Sequence, residues 1–218
     1  MSQALAAPTR RIVILIGLFL TLVMPCIGLL RRALHIDTVP LVAQEGYWWT
    51  LLTVVLLFIL AVERRGLASV GWRRPTWKTL AFGAGGAVAG LAAGVLVVSV
   101  VLPSLGLQQD AAAFKRMLAI PFWVRVAIVT RASVCEELMI RGYGIERLQE
   151  LTGSRLIAGA VTLALFAFAH LSNWGPAQIL VAGAIGLPLT VLYVWRRDLV
   201  ANILAHWLID AVGVLLPG

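Results

Sequence analysis

Hydrophobic residues in this chain run in long blocks, and the polar ones collect in short clusters between them. A bilayer core about 30 Å thick takes roughly 20 apolar residues at 1.5 Å rise each. Blocks of that kind fall near 12–30, 47–62, 79–102, 121–146, 156–171, 177–195 and 199–216. The expected fold is all-α, a multi-pass integral membrane helical bundle of about seven transmembrane helices. The second and fifth blocks are short, and tilt or re-entry there would lower the count by one. Arg10 and Arg11 precede the first block as they would a signal peptide, but the block is long for one and lacks a small-x-small cleavage site. Arg31 and Arg32 follow it directly, so it reads as a retained span. Pro25 before Cys26 makes a poor lipobox, and no lipid anchor is expected.

Composition agrees: 61% hydrophobic residues, 13% charged and a mean hydropathy of +0.94 exclude a soluble surface. The net charge of +8 raises the question of nucleic acid. The basic residues, however, sit in clusters at span ends, where membrane orientation explains them, so nucleic acid is not an expected partner. About twelve on the N-terminal side against about four on the other put the N-terminus in the cytoplasm, a bacterial inner membrane being the expected location. Cys26 and Cys135 both fall within spans, where a thiol acts as a small apolar group. Neither a disulfide nor a zinc knuckle is expected.

No linker or repeat divides the chain, which reads as one membrane domain with unequal halves. Residues 1–120 bring three spans with almost no interior polar group and serve as packing and support. Residues 121–218 hold the chemistry. In the third span, FGAGGAVAGLAAGVLVV sets Gly86 and Gly90 at GxxxG spacing, which predicts close helix approach. The loop ERRGLASVGWRRPTWK, with Trp72 and Trp77 among basic residues, reads as an interfacial belt. Segment 104–119 predicts a short amphipathic surface helix.

The stretch RASVCEELMIRGYG, residues 131–144, sets two arginines and two adjacent glutamates inside an apolar span. Each ionisable group near the bilayer centre costs about 3 kcal/mol and needs a partner or a task. Glu137 and Arg141 are four apart with the acid first, the order that suits a structural ion pair. Glu136 is offset by about 100° and can point elsewhere. His206 and Asp210 are also four apart, so the carboxylate can fix the imidazole's tautomer. Phe166 repeats that spacing before His170 and predicts an aromatic wall beside the ring. Counted from the cytoplasmic ends, Glu136 lies about 16 Å deep, His170 about 22 Å and His206 about 10 Å, which predicts one shared polar cavity. Singly, each group is equally explained by a helix-bridging hydrogen bond or a buried salt bridge; their concentration in four spans is what points to function. His35 is assigned to a solvated loop. Arg131 either counters a buried acid or attracts a substrate carboxylate.

Two carboxylates and two imidazoles suit the activation of water against an amide, a carboxylate acting as general base and an imidazole holding the water. Glu136, His170, His206 and Asp210 can equally hold Zn2+ or another divalent metal with one position open, although no HExxH is present. Cys135 beside Glu136 is a rival nucleophile, disfavoured because apolar surroundings oppose the thiolate.

Glu136-Glu137 with Arg141-Gly142 matches an EExxxRG signature, Phe166 to His170 matches FxxxH, and His206 to Asp210 matches HxxxN/D. In order and approximate spacing these resemble the CPBP (Abi, CAAX protease and bacteriocin-processing) family of intramembrane proteases. The resemblance covers about 121–213, and GLASVGWRRP at 66–75 resembles a weaker family feature. It implies Glu136 as general base acting with His170 on a water, His206 facing the scissile carbonyl, and Glu137 and Arg141 supporting the site. Asp210 stands where the prenyl endopeptidase has asparagine; an ionised aspartate cannot donate to an oxyanion, so its expected task is to orient His206 or bind metal. The family leaves the choice between a metallo- and a glutamate-type mechanism open. The expected protein is an endopeptidase cleaving peptides or membrane proteins at a cytoplasm-facing cavity. A proton-coupled transporter and a non-proteolytic immunity or scaffold protein are the rivals; the lack of an inverted repeat speaks against the transporter.

Overall fold

The computed structural model describes residues 7–35 and 39–216. Eight helices build it: α1 Thr9–Arg31, α2 Leu41–Val62, α3 Trp77–Ser104, α4 Ala111–Leu118, α5 Phe122–Thr152, α6 Arg155–Trp174, α7 Ala177–Arg196 and α8 Leu199–Leu215. No strand occurs among the described residues. The helices α1, α2, α3, α6 and α7 are each long and apolar enough to cross a membrane, and α5 makes a further span when taken with α4, which meets it at 115°. The helix α8 is apolar but shorter. The protein is thus an all-α, multi-pass membrane bundle.

Local chemistry explains why the short blocks lengthen. Pro40, with ψ of 140°, launches α2 at Leu41, so that α2 reaches 22 residues. Ser154 caps α6 by accepting from the Ile157 N–H, and α6 reaches 20 residues. Asp198 caps α8 in the same way through the Ala201 N–H at 3.1 Å, one residue after Arg197 turns left-handed at φ 48°. Connections this short force neighbouring helices to run antiparallel.

The main core gathers Ile14, Leu18 and Leu22 of α1, Val55 and Ile59 of α2, and Met139 and Tyr143 of α5. The first apolar block is therefore packed into the bundle. The middle of α5 is its most enclosed part, every residue of Glu137–Ile145 being buried, and there the backbone widens to i→i+5 hydrogen bonding. Such departures from α geometry are frequent at functional sites. The glycine face of α3 packs on α7 and α8 as its spacing predicts: a Cβ at Gly86 would lie 2.8 Å from Leu192, and one at Gly90 2.5 Å from Ile209.

At the end where α1 starts, the bundle is tied by ion pairs. Arg147 is 1% exposed and meets Glu63 at 2.6 Å, while the Tyr143 hydroxyl donates to the same carboxylate at 2.6 Å. Glu150 takes Arg65 at 2.5 Å and Arg10 at 2.7 Å, and Glu146 takes Arg197 at 2.5 Å. The Glu150 pair strengthens the hold of Arg65, outside the spans, on its proton. The loop 63–78 exposes Trp72 and Trp77, while its start is bound inward through Glu63. Glu63, just past α2, and Glu45, in its first turns, each meet an arginine of α5, so the N-terminal half lends the core two acids from outside the 47–62 block.

The segment GLASVGW forms a 3-10 turn at Leu67–Val70, with Val70 fully buried. It presses on α5 at Gly142, where a Cβ would lie 3.0 Å from the Val70 carbonyl oxygen. Gly142→Val is expected to cost roughly 1–3 kcal/mol through overpacking, because a backbone carbonyl cannot swing away as a side chain can. Thermal unfolding of the purified variant against the wild type measures it.

Candidate active site

Glu137 is the best-coordinated side chain of the signature. It is completely buried. Its Oε1 accepts from Arg141 Nη1 at 2.8 Å and from His206 Nδ1 at 2.8 Å, and its Oε2 accepts from Asn202 Nδ2 at 3.1 Å. Arg141, also completely buried, donates its Nη2 to the Gly186 carbonyl at 3.2 Å and lies over the Phe166 ring at 4.1 Å. A buried carboxylate is tolerated when charge and lone pairs are both answered, and here they are. The spacing of four residues does produce the expected ion pair.

Phe166 stands between the two histidines, its centroid 4.6 Å from that of His170 and 6.2 Å from that of His206. The expected aromatic wall thus touches both rings. His170 Nδ1 lies 2.8 Å from the Phe166 carbonyl oxygen. A carbonyl only accepts, so Nδ1 carries the hydrogen and Nε2 keeps its lone pair in the neutral ring. His206 donates Nδ1–H to Glu137, and its Nε2 lies 3.5 Å from Asp210 Oδ2. The residue that orients His206 most closely is therefore Glu137, on another helix, with Asp210 at the opposite nitrogen.

Glu136, Phe166, His170, His206 and Asp210 line one cavity of about 1890 Å3. Glu137 and Arg141 stand behind its wall. Among the described residues Glu136 has no hydrogen-bond or ion-pair partner, as its offset from Glu137 predicts. Cys135 is fully buried and does not line the cavity, which leaves the rival nucleophile without access. Arg131 holds Glu45 in a two-pronged pair at 2.8 and 3.1 Å and lies 5.4 Å from the Trp48 ring centre. Of its two open roles, countering an acid is the one seen.

The cavity takes walls from the end of α1, the start of α2, the end of α6 and the last turns of α8, so it lies toward the end of the bundle opposite the N-terminal one. A cytoplasmic N-terminus and a cytoplasm-facing cavity therefore do not hold together. The basic end, from which the depths of Glu136, His170 and His206 are counted, is shut by the Glu63–Arg147 and Glu146–Arg197 pairs.

Among the described residues no group of three or more His, Cys, Asp or Glu side chains is placed to hold a metal ion. Glu136, His170, His206 and Asp210 share the cavity but are not gathered as ligands, and His206 Nδ1 is already engaged by Glu137. The arrangement does not fit a preformed metal centre.

Asn202 was not anticipated. It is fully buried and joins the Leu189 carbonyl, at 2.7 Å, to Glu137. Its signal was present: positions 202, 206 and 210 form one i, i+4 row on α8, and an amide inside an apolar helix needs partners. Glu45 lies two residues before the apolar block that begins at 47, so the hydrophobic pattern alone does not mark it.

The family model for the type II CAAX prenyl endopeptidase Rce1-like family matches residues 118–212. No curated protein and no solved structure matches the chain. The matched stretch, somewhat under half of the chain, holds the EExxxRG, FxxxH and HxxxD motifs in full, and over residues 118–212 the chain is similar to the CAAX-protease (CPBP) family.

Proposed function

We propose that the protein is an intramembrane endopeptidase that hydrolyses peptide bonds of membrane-associated peptides or proteins with a water activated by Glu136 and His170. The observation that carries this reading is the division of labour between adjacent acids. Glu137 has its charge compensated and its oxygens occupied, whereas Glu136 faces the cavity without a partner. A general base needs a free carboxylate within reach of water, and only the first acid of the pair offers one.

In this mechanism Glu136 takes a proton from the water while His170 Nε2 accepts a hydrogen bond that orients it. The water oxygen bonds to the carbonyl carbon. The developing oxyanion faces His206, whose protonated ring donates from Nε2, with Glu137 compensating its charge at Nδ1. The carbon–nitrogen bond then breaks, and the proton held by Glu136 passes to the leaving amine. Asp210 keeps the His206 ring in register from the other side. Residues 121–218 carry this chemistry, and residues 1–120 wall and brace the cavity.

A substrate of the prenylated CAAX kind is what the family's description names; for this chain we propose an unprenylated peptide or membrane-protein segment. The test is to incubate detergent-purified protein with a mixture of peptides and read new termini by mass spectrometry. Cleavage that falls by about 10²–10⁴-fold in His170→Ala is the expected result. Wild-type protein that cuts nothing, or a His170→Ala variant that cuts equally well, contradicts the proposal.

A further inference from the structure

The bundle has one closed end and one hollow end, and the basic residues sort between them. Arg10–Glu150–Arg65 and the Glu63–Arg147 pair join the start of α1 to the end of α5 and the segment after α2. The Leu199 N–H reaches the Gly71 carbonyl at 2.9 Å, which brings the start of α8 to the same end. That end carries the arginine pairs at 10–11, 64–65, 73–74 and 196–197. The other end is marked by Arg31 donating to Asn173 at 3.1 Å, Gln109 to Gln178 at 3.1 Å, and Arg125 to the Val214 carbonyl. Near it the chain supplies fewer: Arg31, Arg32, Lys115, Arg116 and Arg125 at helix ends and in the short α4, with Arg131 further along α5 paired to Glu45.

Arg31, His35, Gln109, Arg116 and Asn173 belong to the cavity wall, so the hollow end is the one poor in basic residues. Lysine and arginine near span ends are retained in the cytoplasm, which makes the closed end cytoplasmic. We propose that the cavity opens to the non-cytoplasmic side of the membrane and receives its peptide from there. The substrate class is then an exported polypeptide, or the outward-facing end or loop of a membrane protein, rather than a cytosolic one. A cavity of about 1890 Å3 exceeds the roughly 300–1,000 Å3 of small-ligand pockets, and it has room for a stretch of chain. This inference rests on the peptidase reading for its substrate, but on geometry and charge alone for its sidedness.

The two are tested separately. In a cysteine-free background (Cys26→Ser, Cys135→Ala), single cysteines are placed at Gln108, beside the hollow end, and at Leu151, at the closed end; both positions are exposed. A membrane-impermeant maleimide added to intact cells is expected to label Gln108→Cys and to label Leu151→Cys only after permeabilisation. The reverse pattern overturns the proposal whether or not the protein is a peptidase. In the second arm, a charged, impermeant peptide that the detergent-purified enzyme cleaves is added to sealed vesicles. Right-side-out vesicles should cut it and inverted ones should not until detergent is added; cleavage by intact inverted vesicles alone also overturns the proposal. Failure of cleavage in detergent counts against the peptidase reading and leaves the labelling arm to decide sidedness. Should the cysteine-free protein fold poorly, the same labelling in the wild-type background decides it, because Cys135 is buried and Cys26 serves as the common baseline.

Discussion

A Glu136→Gln protein is expected to fold, insert and unfold at the wild-type temperature while losing peptide cleavage by at least about 10²-fold. Glutamine keeps the shape of the side chain but cannot take a proton from water. Stability should hold because Glu136 has no partner to lose: it stands in the cavity wall, and its neighbour carries the bonds. Glu137→Gln is the informative control. It removes the charge that compensates Arg141 and orients His206, so it should lower stability and activity together. Cleavage rate and thermal midpoint measured on both variants separate a reacting group from a supporting one. If Glu136→Gln cuts at the wild-type rate, the general base has been misassigned.

The largest effect on stability is expected at Arg141. Replacing it by methionine leaves the Glu137 carboxylate buried with its main counter-charge gone, and truncating one partner of a buried pair costs about 3–5 kcal/mol. It also removes the cation over Phe166 and the bond to the Gly186 carbonyl. The expected drop in thermal midpoint is on the order of 10 °C for a chain of this size. Adding Glu137→Gln to Arg141→Met should recover part of that stability, because the orphaned charge is then absent, but no activity. A double variant as unstable as the single one would show that Arg141 acts through packing alone.

Much of the site was legible one helix at a time. The i, i+4 pairing of Glu137 with Arg141, the contact of Phe166 with His170 and the separate direction of Glu136 all follow from helical spacing, because neighbours on one helix are fixed by its geometry. Contacts between helices were not legible in this way. Asp210 was expected to orient His206 because it lies one turn away, yet the carboxylate that accepts from His206 at 2.8 Å is Glu137. Arg131 had no assigned partner, and its acid, Glu45, is 86 positions away along the chain.

By itself the order of apolar blocks determined that the chain forms a membrane bundle, about how many helices it has, and which few polar residues lie deep enough to need explaining. The energy involved is local: each span must cover its own backbone polarity and present its own apolar surface to lipid. Tertiary packing alone decided which carboxylate is bound and which is free, and at which end the bundle is hollow. Those outcomes depend on how seven long helices and a short one approach one another, and the side chains that answer a buried charge come from whichever helix the packing brings near it.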